Sequence, residues 1–323
     1  MVVGQAQGAH IVSARDEELL ASLGIESLWL RREAAARRLL IVLAHPDDES
    51  FGLGSTIARY AGQGVSVHYA CATRGECGEV APELLADYES AGALRTAELT
   101  CAAYALDLAA VHLLNYRDSG MVGSPDNDHP DAFVRAPVQQ VARQLVGLIR
   151  TIRPQVIITF NSYGGYGHPD HIQAHHATLA AFGAAGDPAQ YPELRGEAAV
   201  AWETQKLYFN VFGTGLLRVL LSVLRVRGQD PRRFGQNKDV DLIEAFDRAG
   251  RVTATLDNRA YGAQKDQASA CHRSQMNGAA PLQRLPSRIR YAITARETFG
   301  RVVPPFETGA TPETDLFEDV RLD

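Results

Sequence analysis

Hydrophobic positions along the chain alternate between two rhythms. Leu39 to Ala44 is an unbroken apolar run, the length of a strand buried on both faces, and it stops abruptly at His45-Pro46-Asp47-Asp48-Glu49. Phe51 to Gly62 then fits a helix, Val65 to Ala72 a strand, Tyr88 to Leu106 a helix and Val111 to Leu114 a weaker strand. From Pro137 to Ile152 the apolar residues form a helical stripe at 138, 141, 145, 148, 149 and 152, and Gln155 to Phe160 follows as another strand. Strands alternating with helices predict an α/β fold: a Rossmann-like open, mostly parallel sheet flanked by helices.

The flanks are less regular. Asp16 to Arg38 has roughly helical spacing broken at Gly24, so residues 1–38 are read as a helical N-terminal extension to a catalytic core at 39–183. Beyond it, Lys206 to Phe212 suggests a strand and Asp257 to Met276 a helix ending near Asn277-Gly278. Residues 184–323 therefore form a smaller, irregular C-terminal part that completes the substrate pocket, and the proline-rich, acidic stretch from Val303 reads as extended surface chain.

Composition narrows the function. The 323 residues are 46% hydrophobic and 22% charged, the proportions of a globular protein. A net charge of −6 offers no basic footprint for nucleic acid. The apolar stretch Leu216 to Val226 is interrupted by Arg218 and Arg225 and is too short to cross a bilayer. Met1 to His10 lacks the pattern of a signal peptide, which predicts a cytoplasmic protein with no membrane span. Cys71, Cys77, Cys101 and Cys271 follow no paired short spacing and read as reduced thiols.

Two segments carry the chemistry. His45-Pro46-Asp47-Asp48-Glu49 puts an imidazole and carboxylates on one tight turn; on its own it is equally an acidic cap for the helix that follows. His168-Pro169-Asp170-His171 follows the strand ending at Phe160 across a glycine-rich loop and places two histidines on one face of a helix start. Both lie at carboxyl ends of strands, where open α/β sheets bind ligands. Together they supply a His, an Asp and a His, three ligands with open positions, as in a catalytic zinc site. His171 and His175 lack the glutamate of a His-Glu-x-x-His site, and His68, His112, His129 and His272 stand singly and read as core or surface residues. Gly52-Leu53-Gly54 is only half of a dinucleotide fingerprint, which argues against a nicotinamide enzyme.

Ala44-His45-Pro46-Asp47-Asp48-Glu49 with Gly167-His168-Pro169-Asp170-His171 resembles the LmbE-like, or PIG-L, zinc-dependent deacetylases. Gly75-Glu76-Cys77-Gly78-Glu79, Arg95, Arg117-Asp118-Ser119-Gly120-Met121 and Gly164-Gly165-Tyr166-Gly167 bring the resemblance nearer to the deacetylase and conjugate amidase of mycothiol metabolism. The resemblance implies that His45, Asp48 and His171 bind one Zn2+ per chain, with Fe2+ as the alternative, and that Asp47 is the general base. It implies further that His168, held by Asp170, is the protonated partner of the oxyanion or the acid for the leaving amine. Tyr166 would close over the site, and Glu79, Arg95 and Asp118 would contact the sugar or its aglycone.

The expected reaction is removal of an N-acetyl group from a glucosamine-containing small molecule, with homo-oligomerisation left open. An amidase for a larger thiol-conjugate amide shares the machinery. An Fe(II) facial-triad oxygenase shares the ligands but has no use for Asp47 and His168. A metal-retaining sugar-binding module is the reading outside catalysis.

Overall fold

A computed structural model describes residues 13–31, 35–211, 214–234, 238–276 and 285–322. Its eight strands are β1 (Glu26–Trp29), β2 (Arg38–Leu43), β3 (Ser66–Thr73), β4 (Ala110–Tyr116), β5 (Val156–Phe160), β6 (Lys206–Val211), β7 (Ala254–Asp257) and β8 (Arg296–Val303). They form one sheet in the order β1-β4-β3-β2-β5-β6-β8-β7. The five central strands are parallel, and β1, β8 and β7 add antiparallel edges. The α/β reading of the pattern is therefore met, and the central strands begin and end within a few residues of where the apolar runs do.

The helices are α1 (Ala14–Ser22), α2 (Asp48–Gly62), α3 (Ala91–Ala105), α4 (Val138–Ile152), the kinked turn α5 (Gly164–Gly167), α6 (Pro169–Ala185), α7 (Thr214–Val226), α8 (Leu242–Asp247), α9 (Gly262–Cys271) and α10 (Ser287–Thr294). The chain winds outward from β2 through β3 to β4, then returns to β5 and winds the other way to β6. Right-handed crossovers in opposite directions place their helices on opposite faces. Accordingly α2 and α3 pack with α9, whereas α4 packs with α6 and α1. β2 is buried along its whole length between these layers. The reversal of strand order between β2 and β5 opens a crevice at their carboxyl ends, and both His-Pro-Asp segments leave the sheet there.

Four expectations are corrected outside the core. The helical spacing of Asp16–Arg38 continues only to Ser22; Glu26–Trp29 instead pairs antiparallel with β4, because its half-exposed alternation suits an edge strand. Where one helix is expected from Asp257 to Met276, β7 ends at Asp257 and α9 spans Gly262–Cys271, while Asn277-Gly278 lies outside the described residues.

The tail is not surface chain throughout. Leu316 and Phe317 are buried, and the Glu313 carboxylate accepts from Lys206 Nζ at 2.8 Å, the Tyr208 hydroxyl at 2.8 Å and Arg301 at 2.6 Å. The Tyr60 hydroxyl, near the end of α2, donates to Asp315 at 2.8 Å and accepts from the Leu316 amide at 2.7 Å. Finally, Cys101 and Cys271 form a disulfide that ties α3 to α9, so two of the four cysteines are not thiols; Cys71 and Cys77 are free. No helix of the described residues is long and apolar enough to cross a membrane.

Candidate functional site

The turn after β2 is pinned before it carries any function. The Ala44 carbonyl accepts from the Thr73 amide and hydroxyl at 2.9 and 3.0 Å, and the His45 carbonyl accepts from the Tyr69 hydroxyl at 2.7 Å. Asp48 Oδ2 accepts the amides of Ala44 and His45 at 3.2 and 2.8 Å, which locks its carboxylate beneath the His45 ring. Asp47, between them, has φ of 125°, a conformation rare outside glycine and typical of residues held under strain at functional sites.

The second segment reaches the same place from β5. Asn161 Oδ1 accepts the amides of Tyr163 and Gly165 at 3.2 and 2.9 Å, turning the loop back on itself. Gly164 sits in this loop with φ of +65°, where a Cβ would lie 2.7 Å from the Cβ of His171. Only glycine lets the loop close against the histidine. The Gly164 carbonyl in turn accepts from His171 Nδ1 at 3.0 Å.

Three donor groups converge. His45 Nδ1 lies 3.2 Å from His171 Nε2, His45 Nδ1 lies 3.6 Å from Asp48 Oδ2, and His171 Nε2 lies 3.5 Å from Asp48 Oδ1. Tetrahedral ligands at about 2.1 Å from one zinc ion would be separated by about 3.4 Å. The protons tell the same story. His171 uses Nδ1–H on the Gly164 carbonyl, and His45 uses Nε2–H on Asp170 Oδ2 at 3.2 Å, so both facing nitrogens are left with bare lone pairs beside a carboxylate. Such a triangle is one cation short, and His45, Asp48 and His171 fit a divalent metal.

The carboxylates around the triangle favour positive charge there, which a proton on His45 supplies when no ion does. Burial opposes charge on His45, yet Asp118, Asp170 and Asp48 around it pull its pKa well above the ordinary value. Burial also works against Asp48, but His171 and His45 hold it well below the usual carboxylate range. Burial brings His171 down to about 4. A ring nitrogen of His168 also falls within 4.8 Å of those of His45 and His171, and a second group joins His45, Asp118, His168 and Asp170. We prefer Asp48 to His168 as the third donor because the Asp48 oxygens face the two bare nitrogens directly.

The remaining residues named from sequence, Asp170 excepted, fall around a cavity of about 660 Å³ whose walls include His45, Asp47, Glu79, Arg95, Asp118, Tyr166 and His168. Burial at the wall pushes the Asp47 carboxyl up to about 7, against the pull of Arg95 and with the help of Asp48. The Tyr166 ring stands edge-on to His171 at 5.0 Å, and burial keeps its phenol protonated far above the ordinary range.

Several roles differ from those the sequence implies. Asp170 does not hold His168 through its carboxylate, which instead bonds His45 and the Ser119 amide at 2.9 Å; it is the Asp170 amide that donates to His168 Nδ1 at 3.2 Å. Burial, followed by neighbouring His45 and His171, lowers His168 to about 2, against the protonated role that the resemblance implies. With Nδ1 accepting, the neutral ring carries its hydrogen on Nε2.

Arg95 and Asp118 turn inward. The Arg95 guanidinium donates to the carbonyls of Gly75 at 2.8 Å and Pro46 at 2.7 Å and to Asp47 Oδ2 at 3.0 Å. Gly75, with φ of +69°, makes room for it, since a Cβ there would fall 2.0 Å from the guanidinium. Asp118 Oδ1 lies 3.5 Å from His45 Nε2 and accepts the Gly120 amide at 2.8 Å. Glu79 alone of the three is exposed, at the rim. Tyr69, Asn161, Gln275 and Asp239 serve the site from outside both motifs; of these Asn161 alone carries a signal in the sequence, standing directly after a buried strand and before glycines.

Residues 40–182 match the model of the PIG-L family, described as GlcNAc-PI de-N-acetylase. The 1D-myo-inositol 2-acetamido-2-deoxy-alpha-D-glucopyranoside deacetylase of Geodermatophilus obscurus is 38% identical over 291 residues, which cover 87% of this chain and 97% of that protein. Among solved structures, the N,N'-diacetylchitobiose deacetylase of Pyrococcus horikoshii aligns with a TM-score of 0.54 at 17% identity, over 83% of this chain and 84% of that one. The 4-carboxy-2-hydroxymuconate hydratase GalB of Pseudomonas putida aligns with a TM-score of 0.55 at 18% identity, over 85% and 100%. These structures share the fold, and since one of them is a hydratase the fold by itself does not choose the reaction.

Proposed function

The chain belongs to the PIG-L family and is an N-deacetylase, and from that premise we propose that zinc is its resident ion and an inositol glycoside of N-acetylglucosamine its substrate. The observation that carries the metal assignment is the lone-pair triangle of His45 Nδ1, His171 Nε2 and the Asp48 carboxylate beside the strained Asp47. The relatives named for an inositol glucosaminide support the substrate. A cavity of about 660 Å³ has the size of an ordinary small-molecule site.

His45, Asp48 and His171 would hold the ion. When bound, zinc supplies Lewis acidity toward the amide carbonyl and makes a water easier to deprotonate. Asp47 accepts the proton of the attacking water; with its carboxyl near 7 it holds that proton well enough to return it to the leaving amine. Arg95, donating to Asp47 Oδ2, keeps the carboxylate turned in one direction. The Tyr166 phenol and the neutral His168 Nε2–H are hydrogen-bond donors for the carbonyl oxygen as negative charge develops on it. His168 in this role donates without transferring its proton. Asp170 and Asp118 orient the His45 ring. Water adds to the amide carbon, the C–N bond breaks, and acetate and a free amine leave.

The test is acetate release from 1D-myo-inositol 2-acetamido-2-deoxy-alpha-D-glucopyranoside by purified protein. Activity should vanish on chelation and return with about one equivalent of Zn2+ per chain. Recovery with Fe2+ only would reassign the ion. No acetate, but cleavage of a thiol-conjugate amide, would replace the deacetylase substrate with the conjugate.

A further inference from the structure

His272 belongs to neither His-Pro-Asp segment, yet it touches the catalytic turn. It follows α9 directly, and its Nε2 lies 2.7 Å from Glu49 Oε1, with both side chains wholly buried. The Ser50 hydroxyl donates to the same oxygen at 2.5 Å, while the other, Glu49 Oε2, accepts the amide N–H of Asp47 at 2.9 Å. Every contact of this carboxylate is therefore internal, and Glu49 faces no substrate. It grips the backbone of the residue whose φ is 125°.

We infer that His272 is a positioning residue for Asp47, acting through Glu49 on the Asp47 amide; this rests on the reading of Asp47 as general base. The geometry gives Asp47 two restraints. Arg95 of α3 fixes its carboxylate at 3.0 Å, and the His272–Glu49 pair fixes its peptide. The segment carrying His272 is itself fastened to α3, by the Cys101–Cys271 disulfide and by Ser274, whose amide and hydroxyl donate to Glu98 at 2.8 and 2.6 Å. One helix thus governs both restraints. A backbone held away from its relaxed conformation turns back once its partner is lost, and a displacement of about 1 Å at a reacting group lowers rates by up to about 10²-fold.

The experiment measures kcat, KM, metal content and Tm for zinc-loaded variants. His272→Ala should lower kcat roughly 10–100-fold, with KM within about twofold and metal content unchanged. His272→Gln, whose Nε2 reaches Glu49 as a donor, should restore most of kcat. Adding His272→Ala to Glu49→Ala should cause no further loss, because the path to Asp47 is already cut. Tyr60→Phe, which removes the clasp on Asp315 at the far end of α2 and touches neither Glu49 nor the His272 segment, should lower Tm and leave kcat alone. If His272→Ala does not fold, His272→Leu refills its volume and carries the same comparison.

A His272→Ala enzyme that loses Tm but keeps kcat within twofold would overturn the inference, as would losses that add to those of Glu49→Ala. Asp47→Asn, assayed alongside, separates the two claims. Normal turnover there removes the base and this inference with it, whereas a large loss there beside an unaffected His272→Ala removes this inference alone.

Discussion

His45-Pro46-Asp47 and His168-Pro169-Asp170 both follow a buried parallel strand and lead into a helix, but the helix starts at a different residue in each. In the first, α2 begins at Asp48, so Asp47 is the N-cap, strained at φ 125° and making no capping bond with its side chain. In the second, α6 begins at Pro169, a position where a missing N–H is harmless, so His168 is the N-cap and its ring accepts the Asp170 amide. This shift in phase sends the two aspartates to opposite sides of the metal donors. Asp47 faces the cavity; Asp170, wholly buried, stands behind His45. The same three residue types do not fix a role; where the helix begins does.

The sharpest way to break this comparison is to neutralise each aspartate in turn. Asp47→Asn should keep its metal and lose about 10²–10⁴ in kcat, the usual contribution of a general base. Near-normal turnover at full metal content would move the base elsewhere. Asp170→Asn should instead weaken metal affinity by roughly 10–100-fold, as loss of a partner behind a ligand does. Metal-binding titrations that fall equally for both variants would erase the distinction between the turns.

A smaller effect probes the strain. Asp47→Gly should be more stable than Asp47→Ala by about 1 kcal/mol, read from melting, because glycine reaches positive φ freely and alanine does not. Equal stabilities would mean that the first turn relaxes at no cost once the carboxylate is gone.

A second imidazole pair sharpens the contrast further. His68 Nδ1 and His112 Nε2 lie 3.1 Å apart, nearly the separation of His45 and His171, but the outer nitrogens meet Ser66 and Ser27 hydroxyls, at 3.0 and 2.8 Å, instead of groups that can only accept. A hydroxyl donates or accepts as needed, so neutral rings satisfy this chain without a metal. Burial lowers His112 to about 3. Between its unfolded value near 6.5 and about 3, the unfolded chain binds the proton and the folded one does not. His112 thus costs no stability above pH 6.5 and costs increasingly more as the pH falls toward 3. The stability difference between His112→Gln and the parent should therefore shift in favour of the variant as the pH falls over this window. A difference independent of pH would mean that His112 titrates in the fold as it does in the unfolded chain.

The central strands and both turns were legible because a fully buried strand writes an unbroken apolar run, and β2 and β5 end within one residue of where those runs end. The antiparallel strands outside the parallel centre write no such run. β1 alternates exposed and half-buried residues over only four positions, and β8, Arg-Glu-Thr-Phe-Gly-Arg-Val-Val, mixes charge into its length because Glu297 bonds across to Lys265 at 2.7 Å. The family resemblance assigns Arg95 and Asp118 to the substrate; what turns them inward is the distant carbonyls and imidazole they meet only after folding. The Cys101–Cys271 bond joins residues 170 positions apart, a separation from which no spacing rule could pair them.

The buried Glu313 has a consequence in the order of synthesis. Lys206 and Arg301 are made before it, and Lys206 is almost wholly enclosed, with Glu313 as its counter-charge. An enclosed cation without its partner is strongly destabilising. Until residues 313–317 have left the ribosome, the β6–β8 edge of the sheet cannot close over Lys206, and the far end of α2 lacks the clasp on Tyr60. A nascent chain stalled a few residues short of Glu313 should therefore be an open protease target at that edge, while the β2–β5 crevice on the other side of the strand order has already all of its strands.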